Sequence, residues 1–479
     1  MASTTLFSSL INLRASSAAA MSDSDIMAAD DYKAMVCILF EGGNDAFNML
    51  MPYTQSEYTQ YQRTRGANRS AGGVALERNT LRVINPTNTG SRTFGLHPSM
   101  PNVQRLFGEG KAAFVANVGT LIEPITKAEF WDPNRSKKVP LGLLSHSDQA
   151  QQWMTALPHE RAGIGWGGRI ADMVNDMNCN PELSMGISMA GTNIFQTGVN
   201  TVEYALNPAP LDQNALTEVR GYGGDWALPN LKKEAIDKLL DRTYADIYEN
   251  TYMNTVRNSI DGWKSYREAL NNSQLNTVFQ SADYGGLAHA LGWVAKMIGA
   301  RQELGYRRQT FFVRFGGFDH HDEVINAQSD LLAEFDYAIN QFNAAMEELG
   351  TQDAVCTFSI SDFARTLGSN GNGTDHAWGG NAMIFGGPNL VNGGQIFGAY
   401  PETLWPRDNP VDLGGGILVP TTSADLYFAE ISKWFGVSDS NLQLIFPNLT
   451  NFYDYQNSSH QMLGFLNKDL TGYSHPTCP

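Results

Sequence analysis

The sequence is poor in charged residues. Only 17% of its 479 residues are Asp, Glu, Lys or Arg, whereas an average globular protein has about a quarter. Basic residues are the scarcer kind, with 33 Lys and Arg against 49 Asp and Glu, and the formal net charge is −16. Nucleic acids and anionic membrane surfaces are bound through clustered Lys and Arg. We therefore expect neither as a partner.

Cysteine is also scarce. Four cysteines are too few for a disulfide framework in a chain of this length. Cys37 and Cys356 lie in apolar runs, which predicts buried free thiols. Cys179 and Cys478 lie in polar segments, where the sequence leaves a disulfide between them open.

Long apolar runs and common nucleotide motifs are absent. No run approaches the roughly 18 apolar residues of a transmembrane helix, so we expect no membrane-spanning segment. Residues 1–30 are rich in Ala and Ser and predict either a secretory leader or a disordered N-terminal segment. No phosphate-binding loop and no Gly-x-Ser-x-Gly elbow occurs. The glycine-rich stretch 163–168 is predicted as a loop before a helix at 170–177.

What the chain does contain is an alternation of apolar strands and amphipathic helices. Short apolar runs at 35–40, 112–118, 310–315 and 354–360 predict buried strands. Helical stripes lie between them, the clearest running from Leu331 to Leu349. This rhythm is typical of an α/β fold with a mainly parallel sheet. We predict a core of residues 31–185 and 281–479 that is interrupted by an insertion or cap at 186–280.

Four short clusters of acidic residues and histidines contain the candidate functional residues. They lie at 42–45, 318–322, 361–362 and 374–376, and three of them directly follow predicted strands. In an α/β sheet the carboxyl ends of the strands share one edge, so we expect these side chains to meet there. Carboxylates and imidazoles together suit a divalent cation, zinc or alternatively calcium or magnesium. The candidate ligands are Asp45, Asp319, His320, His321, Asp362, Asp375 and His376.

Each cluster alone is explained more simply as a solvated turn or a helix cap. Their expected convergence on one sheet edge favours a metal site. Two cations about 4 Å apart would stabilise both oxygens of a displacement at phosphorus or sulfur.

Three further residues are candidates for catalysis. Ser145 precedes a predicted helix, where it is either a nucleophile beside the positive end of the helix dipole or a plain N-cap. His146 is a general acid, a metal ligand or a packed neighbour. Arg365 either clamps an oxyanion or pairs with a carboxylate.

A set of colinear motifs resembles the domain-of-unknown-function 1501 family over about residues 33–400. That family is similar to the alkaline phosphatase and sulfatase superfamily, which implies a three-layer α/β/α sandwich with a two-metal site. The motifs are Gly42-Gly43-Asn44-Asp45, Leu96-His97-Pro98, Ser145-His146-Ser147-Asp148-Gln149, Gly165-Trp166-Gly167-Gly168-Arg169, Phe318-Asp319-His320-His321, Ser361-Asp362-Phe363-Ala364-Arg365 and Gly373-Thr374-Asp375-His376.

The resemblance also implies roles for individual residues. Ser145 matches the nucleophile, and the remaining matched positions are metal ligands. Phe363 stands where alkaline phosphatases have a histidine ligand. The matched ligands are Asp45 and Asp362 for one ion, and Asp319, His321 and His376 for the other.

Together these observations predict an exported metal-dependent hydrolase of phosphate or sulfate esters, secreted or periplasmic, that acts on a small anionic ester or a glycan. The alternative is a non-catalytic secreted or cell-surface protein that keeps the fold and binds partners through the 186–280 insertion. The sequence does not indicate an oligomeric state.

Overall fold

A computed structural model describes residues 32–66, 72–134, 136–180, 183–211, 222–242, 244, 246–280, 286–454 and 460–467. The predicted leader at 1–30 and Cys478 lie outside these ranges, so the interpretations placed on them stay predictions.

A mainly parallel sheet forms the centre of the molecule. Its strand order is β11, β5, β10, β9, β1, β8, β6, β7, with β12 paired to β5. All pairings are parallel except those of β10, which runs antiparallel to both β5 and β9. The strands are β1 Lys33–Phe40, β5 Ala112–Gly119, β6 Gly186–Ser188, β7 Tyr204–Ala205, β8 Arg308–Phe315, β9 Val355–Ser361, β10 Gly380–Phe385, β11 Ile396–Gly398 and β12 Thr422–Ser423. A small antiparallel sheet joins β2 Leu50–Pro52, β4 Phe94–Leu96 and β3 Arg82–Ile84.

The helices pack in two groups. They are α1 Ala46–Met49, α2 Gln55–Thr64, α3 Pro101–Gly108, α4 Lys127–Phe130, α5 His146–Thr155, α6 Trp166–Val174, α7 Ala227–Leu240, α8 Ile247–Asn272, α9 Gly286–Gly299, α10 Val324–Glu348, α11 Ala424–Phe435 and α12 Asp439–Ile445. One group consists of α3, α9 and α10, and the other consists of α5, α6, α11 and α12. The predicted three-layer α/β/α fold with a mainly parallel sheet is confirmed.

The main predicted elements lie where the apolar pattern placed them. The predicted strands at 35–40, 112–118, 310–315 and 354–360 correspond to β1, β5, β8 and β9. Their near-continuous apolar sequence has a physical reason, because a central parallel strand is covered on both faces. All residues of β5, and all but the first of β1, are buried.

The range predicted as an insertion contributes to the sheet as well. Within it, β6 pairs with β8 and β7 pairs with β6, and helices α7 and α8 follow. The division of the chain into domains stays a prediction.

The cysteines that the structure describes include both free thiols and a disulfide-bonded residue. Cys37 and Cys356 are free and buried, which confirms the prediction for both, and burial raises the pKa of each thiol. Cys179 is disulfide-bonded. Within the described ranges no helix combines the length and the apolarity that crossing a bilayer requires.

The glycine-rich stretch at 163–168 is not a loop throughout, so this prediction was wrong at its end. Helix α6 begins at Trp166 and therefore includes Gly167 and Gly168. The reason is a close approach of the backbone, since a Cβ on Gly168 would lie 2.1 Å from the Thr197 carbonyl oxygen. The glycines permit contact between a helix and a neighbouring segment.

Candidate metal centre

The predicted clusters meet at the carboxyl edge of the sheet. Strand β1 lies between β8 and β9, and all three run in the same direction. The segments that follow them therefore leave the sheet side by side. The cluster at 374–376 returns to the same edge just before the antiparallel strand β10.

Gly42 makes the close approach of these segments possible. Its φ of +112° lies in the region that favours glycine, and a Cβ there would lie 2.5 Å from the Asp319 backbone nitrogen. The Gly42 N–H donates to Asp362 Oδ2 at 3.0 Å. The turn after β1 thus touches the segments after β8 and β9.

Three imidazoles surround one carboxylate oxygen in this place. Asp319 Oδ1 lies 3.5 Å from His146 Nε2, 3.2 Å from His321 Nε2 and 3.6 Å from His376 Nε2. The ligand atoms of His146, Asp319 and His376 all lie within 4.8 Å of one another. His321 Nε2 adjoins this group, 3.0 Å from His376 Nε2.

The Nδ1 atom of each of these histidines also contacts an oxygen atom. The Nδ1 atoms lie 2.8 Å from Asp362 Oδ2 for His146, 2.9 Å from the Leu144 carbonyl oxygen for His376, and 3.2 Å from Asp375 Oδ1 for His321. These contacts fix the orientation of the three rings. Such support is typical of histidines that bind metals.

Arg365 is committed to structural contacts. Its side chain is fully buried and donates to the carbonyl oxygens of Gly42, Gly43 and Thr374 and to Asp319 Oδ1. Of the two roles that the sequence left open, the contacts match pairing with a carboxylate. Partial burial opposes ionisation of Asp319, but Arg365 outweighs it and holds the pKa of Asp319 below its ordinary value.

The remaining candidates lie around this centre. Asp45 is fully buried and pairs with Arg65, the residue that follows helix α2. His320 is 6% exposed and makes no side-chain hydrogen bond to the residues that the structure describes. The structure brings His321, rather than its neighbour His320, into the group. Asp375 is largely exposed and contacts the group through His321.

Ser145 occupies the N-cap position of helix α5. Its side chain makes no capping hydrogen bond and lies 3.3 Å from Ser147 Oγ. The residues on either side of it both contact the centre, Leu144 through its carbonyl oxygen and His146 through its ring. The N-terminus of α5 therefore borders the candidate metal centre.

Burial shifts the pKa of two groups in the centre. Burial raises the pKa of Asp362, although His146 and the Gly42 N–H act in the opposite direction. Burial lowers the pKa of His376, which favours the neutral imidazole that a metal requires.

Sequence reasoning missed two partners of the site. Arg65 was not singled out, because nothing in the pattern of helix α2 indicates that one of its neighbouring residues reaches Asp45. The Leu144 carbonyl oxygen is a backbone group and carries no sequence signal. The contact between Asp362 and His146 was not predicted. The sequence indicated only that the clusters would converge on one edge of the sheet.

The donor set fits a divalent cation. Imidazole nitrogen and carboxylate oxygen are the usual ligands of zinc in catalytic sites. His146 Nε2 is buried and makes no hydrogen bond among the described residues, so its lone pair has no other partner there. Residues His146, Asp319, His321 and His376 are the ones that would hold the ion.

Comparison with solved structures found distant likenesses. The C-terminal periplasmic domain of EcEptC from Escherichia coli is 8% identical with a TM-score of 0.34, and the match covers 90% of this chain and 92% of that chain. PsFucS1 sulfatase from Pseudoalteromonas sp. is 8% identical with a TM-score of 0.32, with 90% and 72% covered. A TAB5 alkaline phosphatase variant is 9% identical with a TM-score of 0.28, with 75% and 92% covered. Likeness at this level says nothing about activity.

Comparison with curated protein sequences found no match. A family model described as "Protein of unknown function (DUF1501)" matches residues 32–441, which is most of the chain. The chain belongs to the DUF1501 family.

Proposed function

We propose that this protein is an exported metal-dependent hydrolase of phosphate or sulfate esters. One observation carries the proposal, the convergence of three imidazoles and Asp319 beside the N-terminus of helix α5. A bound divalent cation would stabilise negative charge on an ester oxygen and lower the pKa of a neighbouring hydroxyl.

Ser145 is the proposed nucleophile. Its hydroxyl is not used for capping, and the positive end of the α5 dipole favours an anionic group beside it. The Ser145 oxygen would form a bond to phosphorus or sulfur while the bond to the ester oxygen breaks. The serine proton is given up and the leaving alcohol takes up a proton. Water then hydrolyses the serine ester and restores the hydroxyl.

The disulfide at Cys179 supports export. Disulfides persist in oxidising compartments such as the periplasm and the extracellular space, and they are rare in the cytosol. The substrate would be a small anionic ester or an ester group on a glycan.

The hydrogen bonds of Arg365 favour a second candidate function. Its guanidinium is occupied by three carbonyl oxygens and by Asp319, so it is not free to bind an ester anion. A non-catalytic protein that keeps a bound cation as a structural element would have this arrangement.

Turnover of aryl phosphate and aryl sulfate esters by the zinc-loaded protein distinguishes the hydrolase from the non-catalytic protein. We expect Ser145→Ala to lower kcat at least 100-fold, because the attacking oxygen is lost. Ser440→Ala is the matched control, since it removes an exposed serine hydroxyl from the first turn of helix α12, and it should change kcat less than threefold.

One result would contradict the hydrolase, and another would contradict only the role of Ser145. A zinc-loaded wild type that turns over neither ester class would favour the non-catalytic protein. Equal turnover by wild type and Ser145→Ala would exclude Ser145 as the nucleophile.

A further inference from the structure

The distances from Asp319 to its three neighbouring imidazoles suit ligands of one ion. Around a tetrahedral cation with bonds of about 2.1 Å, neighbouring ligand atoms lie about 3.4 Å apart. The distances from Asp319 Oδ1 to the Nε2 atoms of His146, His321 and His376 are 3.5, 3.2 and 3.6 Å. His321 Nε2 and His376 Nε2 are separated by 3.0 Å. These four distances are close to a tetrahedron edge, and the ligand atoms of His146, Asp319 and His376 all lie within 4.8 Å of one another.

The tautomers of the rings point to the same conclusion. An oxygen acceptor at each Nδ1 favours the form that carries its proton there. The Nε2 lone pairs of all three rings are then directed to one region. The Nε2 atoms of His321 and His376 lie 3.0 Å apart, and two lone pairs at this distance repel each other unless a proton or a metal cation lies between them. The arrangement is therefore preorganised for a positive ion.

The two aspartates predicted for a second ion each engage their Oδ2 atom in contacts within the protein, whereas their Oδ1 atoms are buried without a hydrogen-bond partner among the described residues. Asp362 accepts from the Gly42 N–H and contacts His146 Nδ1, and it is 2% exposed. Asp45 pairs with Arg65, and both side chains are fully buried. Among the described residues, the group whose ligand atoms all lie within 4.8 Å of one another is His146, Asp319 and His376, without Asp45 or Asp362.

We infer that the chain binds one tetrahedral cation of the zinc class through His146, Asp319, His321 and His376. Asp362, Asp375 and the Leu144 carbonyl oxygen are positioning groups that orient the three rings. This assignment concerns the metal centre on which the proposed function rests, but it does not depend on turnover.

Asp319 is the ligand that can yield to a substrate. Its Oδ1 also accepts from Arg365, and its side chain is 49% exposed. If Asp319 left the cation and contacted only Arg365, the cation would keep three imidazole ligands and one open coordination position. Catalytic zinc sites keep such an open position.

Titration of the metal-free full chain with Co²⁺ tests the assignment, because the visible spectrum of this ion reports its coordination number. We expect one equivalent to bind with the intense absorption of a four-coordinate ion. His146→Ala should weaken binding at least 100-fold, and Asp319→Asn should weaken it less. His289→Ala removes an imidazole of helix α9 outside the centre and should bind as wild type does.

The proposed role of Asp362 and Asp375 in orienting the imidazole rings requires a separate measurement. Asp375→Asn, at an exposed site, should weaken Co²⁺ binding about tenfold and shift the visible spectrum. Asp362→Asn should do the same at a buried site. Unfolding midpoints of the metal-free variants separate loss of ring orientation from loss of the fold, and unchanged spectra in both variants would refute the positioning role.

Three other results would overturn the one-cation centre. They are two equivalents bound by wild type, the weak spectrum of a six-coordinate ion, and unchanged binding by His146→Ala. Turnover that requires a second equivalent would refute this inference and leave the hydrolase intact. One equivalent bound with the four-coordinate spectrum, but without turnover, would support this inference and refute the hydrolase.

Discussion

Asp45 pairs with Arg65 inside the protein, although its position after strand β1 predicted a metal ligand. Neither side chain is exposed. Gln328 Nε2 donates to the Asp45 carbonyl oxygen at 2.8 Å and anchors the same turn to helix α10. In a buried pair the attraction is offset by desolvation, but removing one partner leaves the other charge uncompensated. We therefore predict a structural role for Asp45.

We expect Asp45→Asn to lower the free energy of unfolding by about 3 kcal/mol, because Arg65 loses its counter-charge. The loss should be equal in metal-free and metal-loaded protein, as measured by urea denaturation. Asp330→Asn, on the exposed side of α10, is the control and should change stability by less than about 0.5 kcal/mol. A variant that keeps its metal-free stability but binds the cation more weakly would restore Asp45 as a ligand.

His97 provides a second test at a single residue. It is 2% exposed, its Nδ1 accepts from the Ser99 N–H at 3.1 Å, and burial lowers its pKa to about 4 from an ordinary 6.5. Between these values the unfolded chain takes up a proton that the folded chain does not. The contribution of His97 to stability is therefore complete above pH 6.5 and is lost as the pH falls toward 4.

The expected loss is about 3 kcal/mol over that range. His97→Asn does not titrate there, so the difference in unfolding free energy between wild type and variant should change in favour of the variant as the pH falls from 7.5 to 4.5. Chemical denaturation at a series of pH values measures this difference. A difference that is independent of pH would show that His97 is protonated equally in the folded and unfolded chain.

At the scale of single elements, helix α6 shows how glycine composition misled the sequence interpretation. Gly165 and Gly168 donate backbone N–H groups to the carbonyl oxygens of Thr197 and Phe195 at 3.0 and 2.9 Å. The segment 194–197 thus lies directly against the start of the helix. A run of glycines is a common loop signal, but here it removes side chains from a packed contact.

Gly168→Ala should therefore destabilise the protein by about 1–3 kcal/mol, although alanine has the higher helix propensity. The new Cβ would collide with the Thr197 carbonyl group, which belongs to the backbone and cannot rotate away. Gly108→Ala at the end of α3, where no atom lies within 4 Å of the added Cβ, should be neutral or slightly stabilising. Thermal and urea unfolding compare the two, and equal stability of Gly168→Ala and wild type would show that the segment 194–197 can move.

Helix α5 shows the opposite case, in which the local signal was informative. Ser145 was predicted to precede a helix, and α5 begins at His146 with Ser145 at the N-cap position. The helix start could be predicted because it depends on neighbours in sequence. The contact between His146 and Asp362, residues 216 positions apart, depends on the packing of α5 against the sheet and could not be predicted.

On the scale of the whole molecule, the order of the strands decides where the chemistry lies. Strands β8 and β9 flank β1, so segments separated by hundreds of residues in sequence leave the sheet together. The alternation of strands and helices predicted that they would share an edge. The antiparallel direction of β10 and the membership of β6 and β7 in the sheet were not predicted, since strands of two or three residues have no periodicity and the direction of a strand depends on its partners.

The fold class, the main strands and the sheet edge at which the acidic and histidine clusters meet can be predicted from the amino-acid order alone. Local hydrophobic periodicity and the chemistry of strand ends are sufficient for these. Which side chains come into contact at that edge depends on the folded arrangement. His146 and His321 lie beside Asp319 and His376, and Asp45 pairs with Arg65. Ligand geometry and buried ion pairs depend on ångström distances between elements far apart in the chain, and residue type and spacing do not specify those distances.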